Sequence, residues 1–214
     1  MFDLFDFTPV EGDPFEDKPD PQPQPGEPLT PSAAGGMPLS QADREALIRT
    51  VYGEAGNQPV MGQAGVAHAI MNRLSAGGYG DTLSDIVKAP VPGAADARRG
   101  YHEFSPWNPP GVPESNMVAQ HLSGDSADPR LRKAYADIGG IVDKSWNGLI
   151  PDPTGGATHY YGYMPQPPKW AAPLAAQNKV KIGGQTFVGG SSGPGQTIPN
   201  ELTGGNYDVG EMYD

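Results

Sequence analysis

Residues 40–57 read Ser-Gln-Ala-Asp-Arg-Glu-Ala-Leu-Ile-Arg-Thr-Val-Tyr-Gly-Glu-Ala-Gly-Asn, and this stretch predicts the first helix of the domain. Ser40 is a residue type that caps helix N-termini, and Asp43 places an acid three positions after the cap. Gly56 and Asn57 end the helical pattern. The helix is therefore expected to run from just after Ser40 to just before Gly56.

Glu54 lies on the same helical stripe as Leu47 and Val51, so it is expected to face the interior or a cleft cut into it. Burial disfavours a charged carboxylate and raises its pKa, which suits a general acid near neutral pH. The glycines within residues 52–53 and 55–56 are expected to leave room for a polymeric ligand. A glutamate at a helix end is more commonly solvated, and the stripe favours the buried alternative.

The remaining patterns predict a mainly helical α+β domain with a small β-hairpin near its C-terminal end. Helices are expected at 61–75, from Thr82, at 114–122 and from Asp128-Pro129 onward. The pair Gly139-Gly140 weakens the middle of the last helix. A strand is expected at 158–161, and a hairpin is expected at 179–188 around Gly183-Gly184. The proline-rich residues 89–113 are expected to form a long functional loop.

Charge divides the chain into three parts. Residues 1–38 carry eight acids and one lysine, and residues 189–214 carry four acids and no base, while residues 39–188 carry 13 acids and 13 bases. We therefore expect an acidic, proline-rich N-terminal tail, a neutral central domain and a Gly/Ser-rich acidic C-terminal tail. No basic patch favours nucleic-acid binding.

The alternating Phe and Asp of residues 2–7 are compatible with a docking peptide for a partner protein or with a floppy terminus. The N-terminus lacks the pattern of a secretory signal, and no stretch is apolar enough to insert in a membrane. There are no cysteines, and the histidines show no zinc-binding spacing, so neither a metal nor another cofactor is expected.

Several ordered motifs resemble the cell wall hydrolase family typified by the spore-cortex-lytic enzyme SleB. They are Val51-Tyr-Gly-Glu-Ala-Gly-Asn-Gln-Pro, Gly62-Gln63, Val66-Ala67, Ile70-Met-Asn-Arg73, Glu103-Phe-Ser-Pro-Trp-Asn108, Asp152-Pro-Thr-Gly-Gly-Ala-Thr-His-Tyr-Tyr161, Trp170 and the closing Gly-Gly-Gln-Thr-Phe-Val188. The resemblance covers about residues 43–188 and neither tail.

This resemblance implies a lysozyme-like domain that cleaves peptidoglycan between N-acetylmuramic acid and N-acetylglucosamine, with Glu54 as the catalytic residue. Family members described as lytic transglycosylases use one carboxyl group and form a 1,6-anhydro product. Where the family usually has Gln, this chain has Glu103. Glu103 could act as a base for water, as paired carboxylates do in hydrolases, or could replace the glutamine as a hydrogen-bonding group.

The candidate substrate-binding residues flank Glu54 in the sequence or lie in the later motifs: Tyr52, Asn72, Glu103, Ser105, Trp107, Thr158, His159, Tyr160 and Tyr161. His159 is the preferred candidate on the strand, where side chains alternate between core and cleft. Trp107 could stack on a sugar or pack its own loop. Asn72-Arg73 could orient Glu54, or could cap the helix or lie at the surface.

Two readings of function remain open at this level. The first is an active peptidoglycan-cleaving enzyme, which a phage particle carries to the cell wall or which is released at lysis; a leaderless or unconventionally exported bacterial enzyme is the alternative origin. The second is a non-catalytic structural or adaptor protein of a virion that keeps the fold for binding glycan. The acidic tails suggest docking to a phage tail or other virion protein, and peptidoglycan is the expected ligand in either case.

Overall fold

The computed structural model describes residues 39–91, 100–111, 116–162 and 164–190. The predictions made for the N-terminal tail, including its docking segment, lie outside the described residues. The same is true of the C-terminal tail beyond residue 190.

Six α-helices and three strands occur in the described residues. They are α1 (Gln41–Ala55), α2 (Val60–Ala76), α3 (Leu83–Val87), α4 (Met117–Gln120), α5 (Pro129–Trp146), β1 (His159–Gly162), α6 (Ala171–Ala175), β2 (Lys179–Ile182) and β3 (Gln185–Val188). A single 3-10 turn, Ser105–Trp107, lies between α3 and α4. The mainly helical α+β class is confirmed. No helix of the described residues has the length and apolar character needed to cross a bilayer.

The predicted start of helix α1 is confirmed by its cap. The hydroxyl oxygen of Ser40 accepts the backbone N–H of Asp43 at 3.1 Å and donates to the Asp43 carboxylate at 2.7 Å. The helix buries Leu47, Ile48 and Val51 completely. The local cap and the apolar stripe therefore set both the start and the orientation of α1.

Helices α1, α2 and α5 form the centre of the core. The glycine pair at 139–140 does not interrupt α5, which is continuous through it. A Cβ atom at Gly139 would lie 2.7 Å from Nη2 of Arg44, so the glycine makes room for that guanidinium. Arg44 then donates two hydrogen bonds of 2.8 Å to Asp143 and ties α1 to α5.

The β element is larger than the predicted hairpin. Strands β2 and β3 pair around Gly183-Gly184 as expected, but β1 also pairs with β3 and gives a three-stranded antiparallel sheet in the order β1-β3-β2. The strand expected at 158–161 is present as β1, but its pairing with the hairpin was not predicted, because pairing between strands distant in sequence has no local signal. Helix α6, between β1 and β2, was not predicted.

Phe187 joins this sheet to the helices. Its ring is fully buried and lies against Gly65 of α2, where an added Cβ would approach the ring to 2.6 Å. The ring also lies 5.7 Å from that of Tyr160 on β1. The sheet is therefore fixed on α2, with Tyr160 on its inner face.

Candidate active site

The carboxyl group of Glu54 is held by three hydrogen-bond donors. Ser105 donates to Oε1 twice, through its backbone N–H at 3.0 Å and its hydroxyl at 2.9 Å. The hydroxyl of Tyr160 donates to Oε2 at 3.2 Å. Glu54 as a whole residue is partly buried, and these three donors orient its carboxyl group. The sequence-predicted residues that converge on Glu54 are thus Ser105 and Tyr160.

The close approach of the Ser105 turn depends on Gly53. A Cβ atom at this position would lie 2.2 Å from Cγ of Pro106 and 3.1 Å from the Cβ of Ala119. The absence of a side chain lets Pro106 pack directly on α1, which brings Ser105 to the carboxylate. The expectation that this glycine leaves room for a polymeric ligand was wrong, because the protein itself fills the space.

Trp107 anchors the same turn on the other side. Its indole Nε1 donates to the buried hydroxyl of Thr50 at 2.9 Å, and the Thr50 hydroxyl donates to the carbonyl of Ala46 at 2.7 Å. The ammonium of Lys88 lies 4.8 Å from the centre of the indole ring. These contacts give Trp107 a role in fixing the turn against α1, and sugar stacking by its ring stays a prediction.

Tyr160 reaches Glu54 because successive side chains of a strand point to opposite faces of the sheet, and Tyr160 points to the face that meets the helices. It is paired with the buried Phe187 across β1 and β3, so both side chains lie on the inner face of the sheet. The preceding and following residues, His159 and Tyr161, lie on the opposite face. The hydroxyl of Tyr160 is the strand group that the structure brings to the carboxylate, and His159 is directed away from it.

The backbone of Glu54 has its own partner. Its carbonyl belongs to the last turn of α1, where no intrahelical donor follows, and it accepts Nε2 of Gln185 at 2.9 Å. Gln185 is 5% exposed. The hairpin is tied to the residues after α1 as well, because Gly184 donates its N–H to Gln58 at 2.8 Å. The sequence analysis missed Gln185, and its position within the closing motif of residues 183–188 was the signal available.

The environment of Glu54 favours its protonated form. Burial raises the pKa of the carboxyl group above its ordinary value, and the hydrogen bonds from Ser105 and Tyr160 offset this only in part. The same burial and the adjacent Glu54 carboxylate raise the pKa of Tyr160 well above its ordinary value. Tyr160 is therefore a neutral hydrogen-bond donor across the physiological range of pH.

Glu103 is engaged by a buried arginine. Its Oε2 lies 2.6 Å from Nη1 of Arg73, which is 8% exposed. The Arg73 guanidinium also donates to the carbonyl of Thr158 at 2.7 Å and lies 5.1 Å from the ring centres of Tyr79 and Phe104. Arg73 thus links α2, the Ser105 loop and β1, and it holds Glu103 in an ion pair at their junction.

Asn72 supports the segment that precedes β1. Its side-chain amide donates to Asp152 at 2.9 Å and to the carbonyl of Ala157 at 3.0 Å. Asp152 in turn accepts the backbone N–H groups of Thr154 and Gly156, each at 2.8 Å. Asn72 therefore fixes the loop that leads into β1, the strand that carries Tyr160, and a role of Asn72 in orienting Glu54 stays a prediction.

The other predicted residues lie around this centre. Tyr52 is partly buried and packs against the core. Because it precedes Glu54 by two positions on α1, its side chain projects from the opposite side of that helix. Thr158 is buried, and its hydroxyl lies 2.9 Å from Nδ1 of His159. Burial and the nearby Arg73 charge lower the pKa of His159. Substrate contacts by these residues stay predictions.

Within the residues that the structure describes, no group of three or more histidine, aspartate and glutamate side chains is arranged to hold a metal ion. His68 is buried in α2, where its Nε2 lies 3.0 Å from the carbonyl of Ile150, and burial lowers its pKa. The carboxyl group of Glu54, oriented by Ser105 and Tyr160, is a group that can transfer protons.

Comparison with known proteins identifies a protein family that matches this chain. A family model described as Cell Wall Hydrolase matches residues 57–188. The matched range includes the Ser105 turn, β1 and the hairpin. It begins just after α1 and therefore does not include Glu54.

The chain is also similar to spore cortex-lytic enzymes. It is 39% identical over 61 residues to that of Oceanobacillus iheyensis, covering 28% of this chain and 22% of the relative. It is 30% identical over 122 residues to that of Halalkalibacterium halodurans, covering 57% and 28%. The chain therefore matches less than a third of the length of these curated relatives.

Two solved structures align with the fold at low similarity. The catalytic domain of the Bacillus cereus SleB protein aligns with a TM-score of 0.40 and 24% identity, over 71% of this chain and 92% of that domain. The catalytic domain of a germination-specific lytic transglycosylase, SleB, from Bacillus anthracis gives the same TM-score and identity over 71% and 99%.

Proposed function

Because this chain belongs to the cell wall hydrolase family, we propose that it cleaves the glycan strands of peptidoglycan with Glu54 as general acid and base. The bond is the one between N-acetylmuramic acid and N-acetylglucosamine. The observation that carries the proposal is that the carboxyl group of Glu54, a partly buried residue, accepts hydrogen bonds from Ser105 and Tyr160.

The first step is proton donation by Glu54. Burial raises the pKa of its carboxyl group above the ordinary value, which favours the protonated form that a general acid requires. The proton passes to the glycosidic oxygen, the C1–O bond of the muramyl residue breaks, and the leaving sugar departs with a neutral hydroxyl. Glu54 becomes a carboxylate, which the donors from Ser105 and Tyr160 stabilise.

The second step returns the proton. The Glu54 carboxylate removes the proton from the C6 hydroxyl of the muramyl sugar, and O6 bonds to C1 to form a 1,6-anhydro ring. The carboxyl group is then protonated again, and no water is consumed. One carboxyl group serves both steps, so the lytic transglycosylase mechanism needs no second catalytic acid.

The ion pair of Glu103 favours this mechanism over hydrolysis. A hydrolytic route needs a second carboxylate free to activate water. Glu103 lies 2.6 Å from the Arg73 guanidinium, which neutralises its charge and occupies one of its oxygens. We therefore assign Glu103 the role of a hydrogen-bonding and ion-pairing residue beside the site.

Digestion of purified peptidoglycan, followed by mass spectrometry of the products, tests the proposal. We expect anhydro-muramyl ends, which are lighter by one water than reducing ends. Glu54→Gln should lower the rate by about 10²-fold or more, the range that general acid–base groups contribute. Glu45→Gln, on the same helix and paired with Arg49, is the matched control. Wild-type rates in Glu54→Gln would refute the assignment.

The chemical ends of the products distinguish the two roles considered for Glu103, a hydrogen-bonding residue and a base that activates water. Glu103→Gln retains an oxygen that can accept from Arg73, so the products should keep their anhydro ends. If the wild-type protein gives reducing ends and Glu103→Gln loses them, Glu103 is the base of a hydrolase. A protein that binds peptidoglycan without any product would favour the adaptor function instead.

We further propose that the protein acts on the cell wall as part of a phage particle or after release at lysis. Support comes from the acidic tails, which carry the excess charge of the chain. Mass spectrometry of purified particles is the test. If the protein is absent from the particles, the virion assignment is wrong, and the chemistry proposed for Glu54 is unaffected.

A further inference from the structure

The sheet presents a second face, on the side away from Glu54. Register places two rows of side chains there, because residues directly opposite each other on paired strands share a face. The rows are His159, Val188 and Lys179, and Tyr161, Thr186 and Lys181. Val188 is fully buried, so we call the other five residues, together with Trp170, which packs on His159 and Tyr161, the outer sheet face.

One half of the outer sheet face is aromatic. The indole ring of Trp170 lies 5.9 Å from the ring of His159 and 6.1 Å from that of Tyr161. Tyr79 extends the series, with its ring 6.0 Å from His159. Trp170 nevertheless remains 47% exposed. A tryptophan held by two rings and still open to solvent offers a rigid apolar surface to a ligand at small entropic cost.

The other half is cationic. Lys179 and Lys181 are both exposed on the edge strand β2, two strands and therefore about 10 Å from β1. Residues 153–190 contain three lysines and no aspartate or glutamate, in a chain whose net charge is −11. Positive charge is therefore concentrated on the segment that builds this face.

We propose that the outer sheet face is a second glycan-binding surface, which holds an anionic peptidoglycan strand beside the catalytic centre. The proposal rests on the function assigned to Glu54. The apolar C–H face of a pyranose ring can pack on Trp170, while the carboxylates of the peptide stems pair with Lys179 and Lys181. Peptidoglycan combines both features in one polymer.

The geometry also defines what such a surface would do. His159 and Tyr161 flank Tyr160 on the same strand, so the outer sheet face is rigidly coupled to the residue that holds Glu54. The two faces are nevertheless on opposite sides of the sheet. A bound strand is thus held near the site without occupying it, which favours cleavage of long or cross-linked substrates over short ones.

Co-sedimentation with insoluble peptidoglycan tests the proposal independently of cleavage. The full chain carrying Glu54→Gln is mixed with purified sacculi, and Trp170→Ala or Lys179→Glu is added to that background. We expect each added change to weaken binding by about tenfold, as truncation of an interface anchor does. Added salt should weaken the binding of the parent more than that of Lys179→Glu. Leu149→Ala and Lys144→Glu are the matched controls, an apolar and a charged change at exposed positions outside this face.

Activity gives a second measurement in the protein that retains Glu54. Trp170→Ala should lower turnover of intact sacculi several-fold more than turnover of short soluble glycan fragments. Equal sedimentation of parent and variants would overturn the proposal, as would competition by polyglutamate as strong as that by soluble glycan. Wild-type protein that sediments through Trp170 but releases no product would refute the catalytic assignment alone.

Discussion

Ser105 donates to one oxygen of Glu54 through two different groups, its backbone N–H at 3.0 Å and its hydroxyl at 2.9 Å. Both bonds favour the ionised carboxyl group, whereas burial of Glu54 favours the protonated one. The balance sets the pH at which the acid loses its proton. The two contributions of Ser105 can be measured separately, because a side-chain substitution removes the hydroxyl and leaves the backbone N–H in place.

Ser105→Ala should move the alkaline limb of the pH–activity profile to higher pH. The lost hydroxyl donor had stabilised the carboxylate, so its removal raises the pKa of Glu54 and keeps the acid protonated further into the alkaline range. The profile of kcat/KM, which reports groups of the free enzyme, is the measurement. Ser105→Thr retains a hydroxyl and should stay close to wild type. A limb displaced to lower pH would contradict the role of this hydrogen bond.

Tyr160→Phe should shift the same limb in the same direction. It removes the donor to Oε2 of Glu54 and keeps the ring that packs near Phe187. The free energy of unfolding should fall by about 1 kcal/mol, as for one hydrogen bond. Tyr135→Phe, on helix α5, is the control for loss of a tyrosine hydroxyl elsewhere. An unchanged pH profile in Tyr160→Phe would show that the contact does not influence proton transfer.

Gln185→Met should lower kcat more than it raises KM. The methionine fills a similar volume but cannot donate to the carbonyl of Glu54, which loses its partner at the end of α1. The free energy of unfolding should fall by about 1–3 kcal/mol, the cost of leaving a buried polar group unpaired. Urea unfolding and steady-state kinetics on the same preparation separate the two effects. A stability loss with unchanged kcat would limit Gln185 to a structural role.

Glu54→Gln should be more stable than wild type at alkaline pH, by a margin that shrinks at acidic pH. The pKa of Glu54 is raised in the folded state, so between the unfolded and folded values the native protein binds more protons than the unfolded chain. Wild-type stability therefore falls relative to the variant as pH rises through that interval. Urea unfolding of both proteins at pH 4 and pH 8 measures the difference. A wild type that gains relative stability with pH would show that the donors outweigh burial.

Local signals in the sequence determined helices α1, α2, α3 and α5 and the turn of the hairpin, but not helix α6. The cap at Ser40, the apolar stripe of α1, the Asp128-Pro129 start of α5 and the Gly183-Gly184 turn act over a few residues, and each is found where it was expected. The choice of Glu54 as the central carboxyl group came from the same kind of signal, its place on the stripe, together with the resemblance of its motif.

Tertiary packing decided the rest. A shift of one residue along β1 exchanges inward and outward side chains, and pairing with Phe187 directs Tyr160, not His159, toward Glu54. The contact of Gln185 with Glu54 spans 131 positions of sequence, and the space at Gly53 is filled by Pro106 from a distant loop. No periodicity or cap records such contacts, because they arise only when separate elements pack. The sequence by itself identified the carboxyl group, and only the folded structure determined which donors hold it.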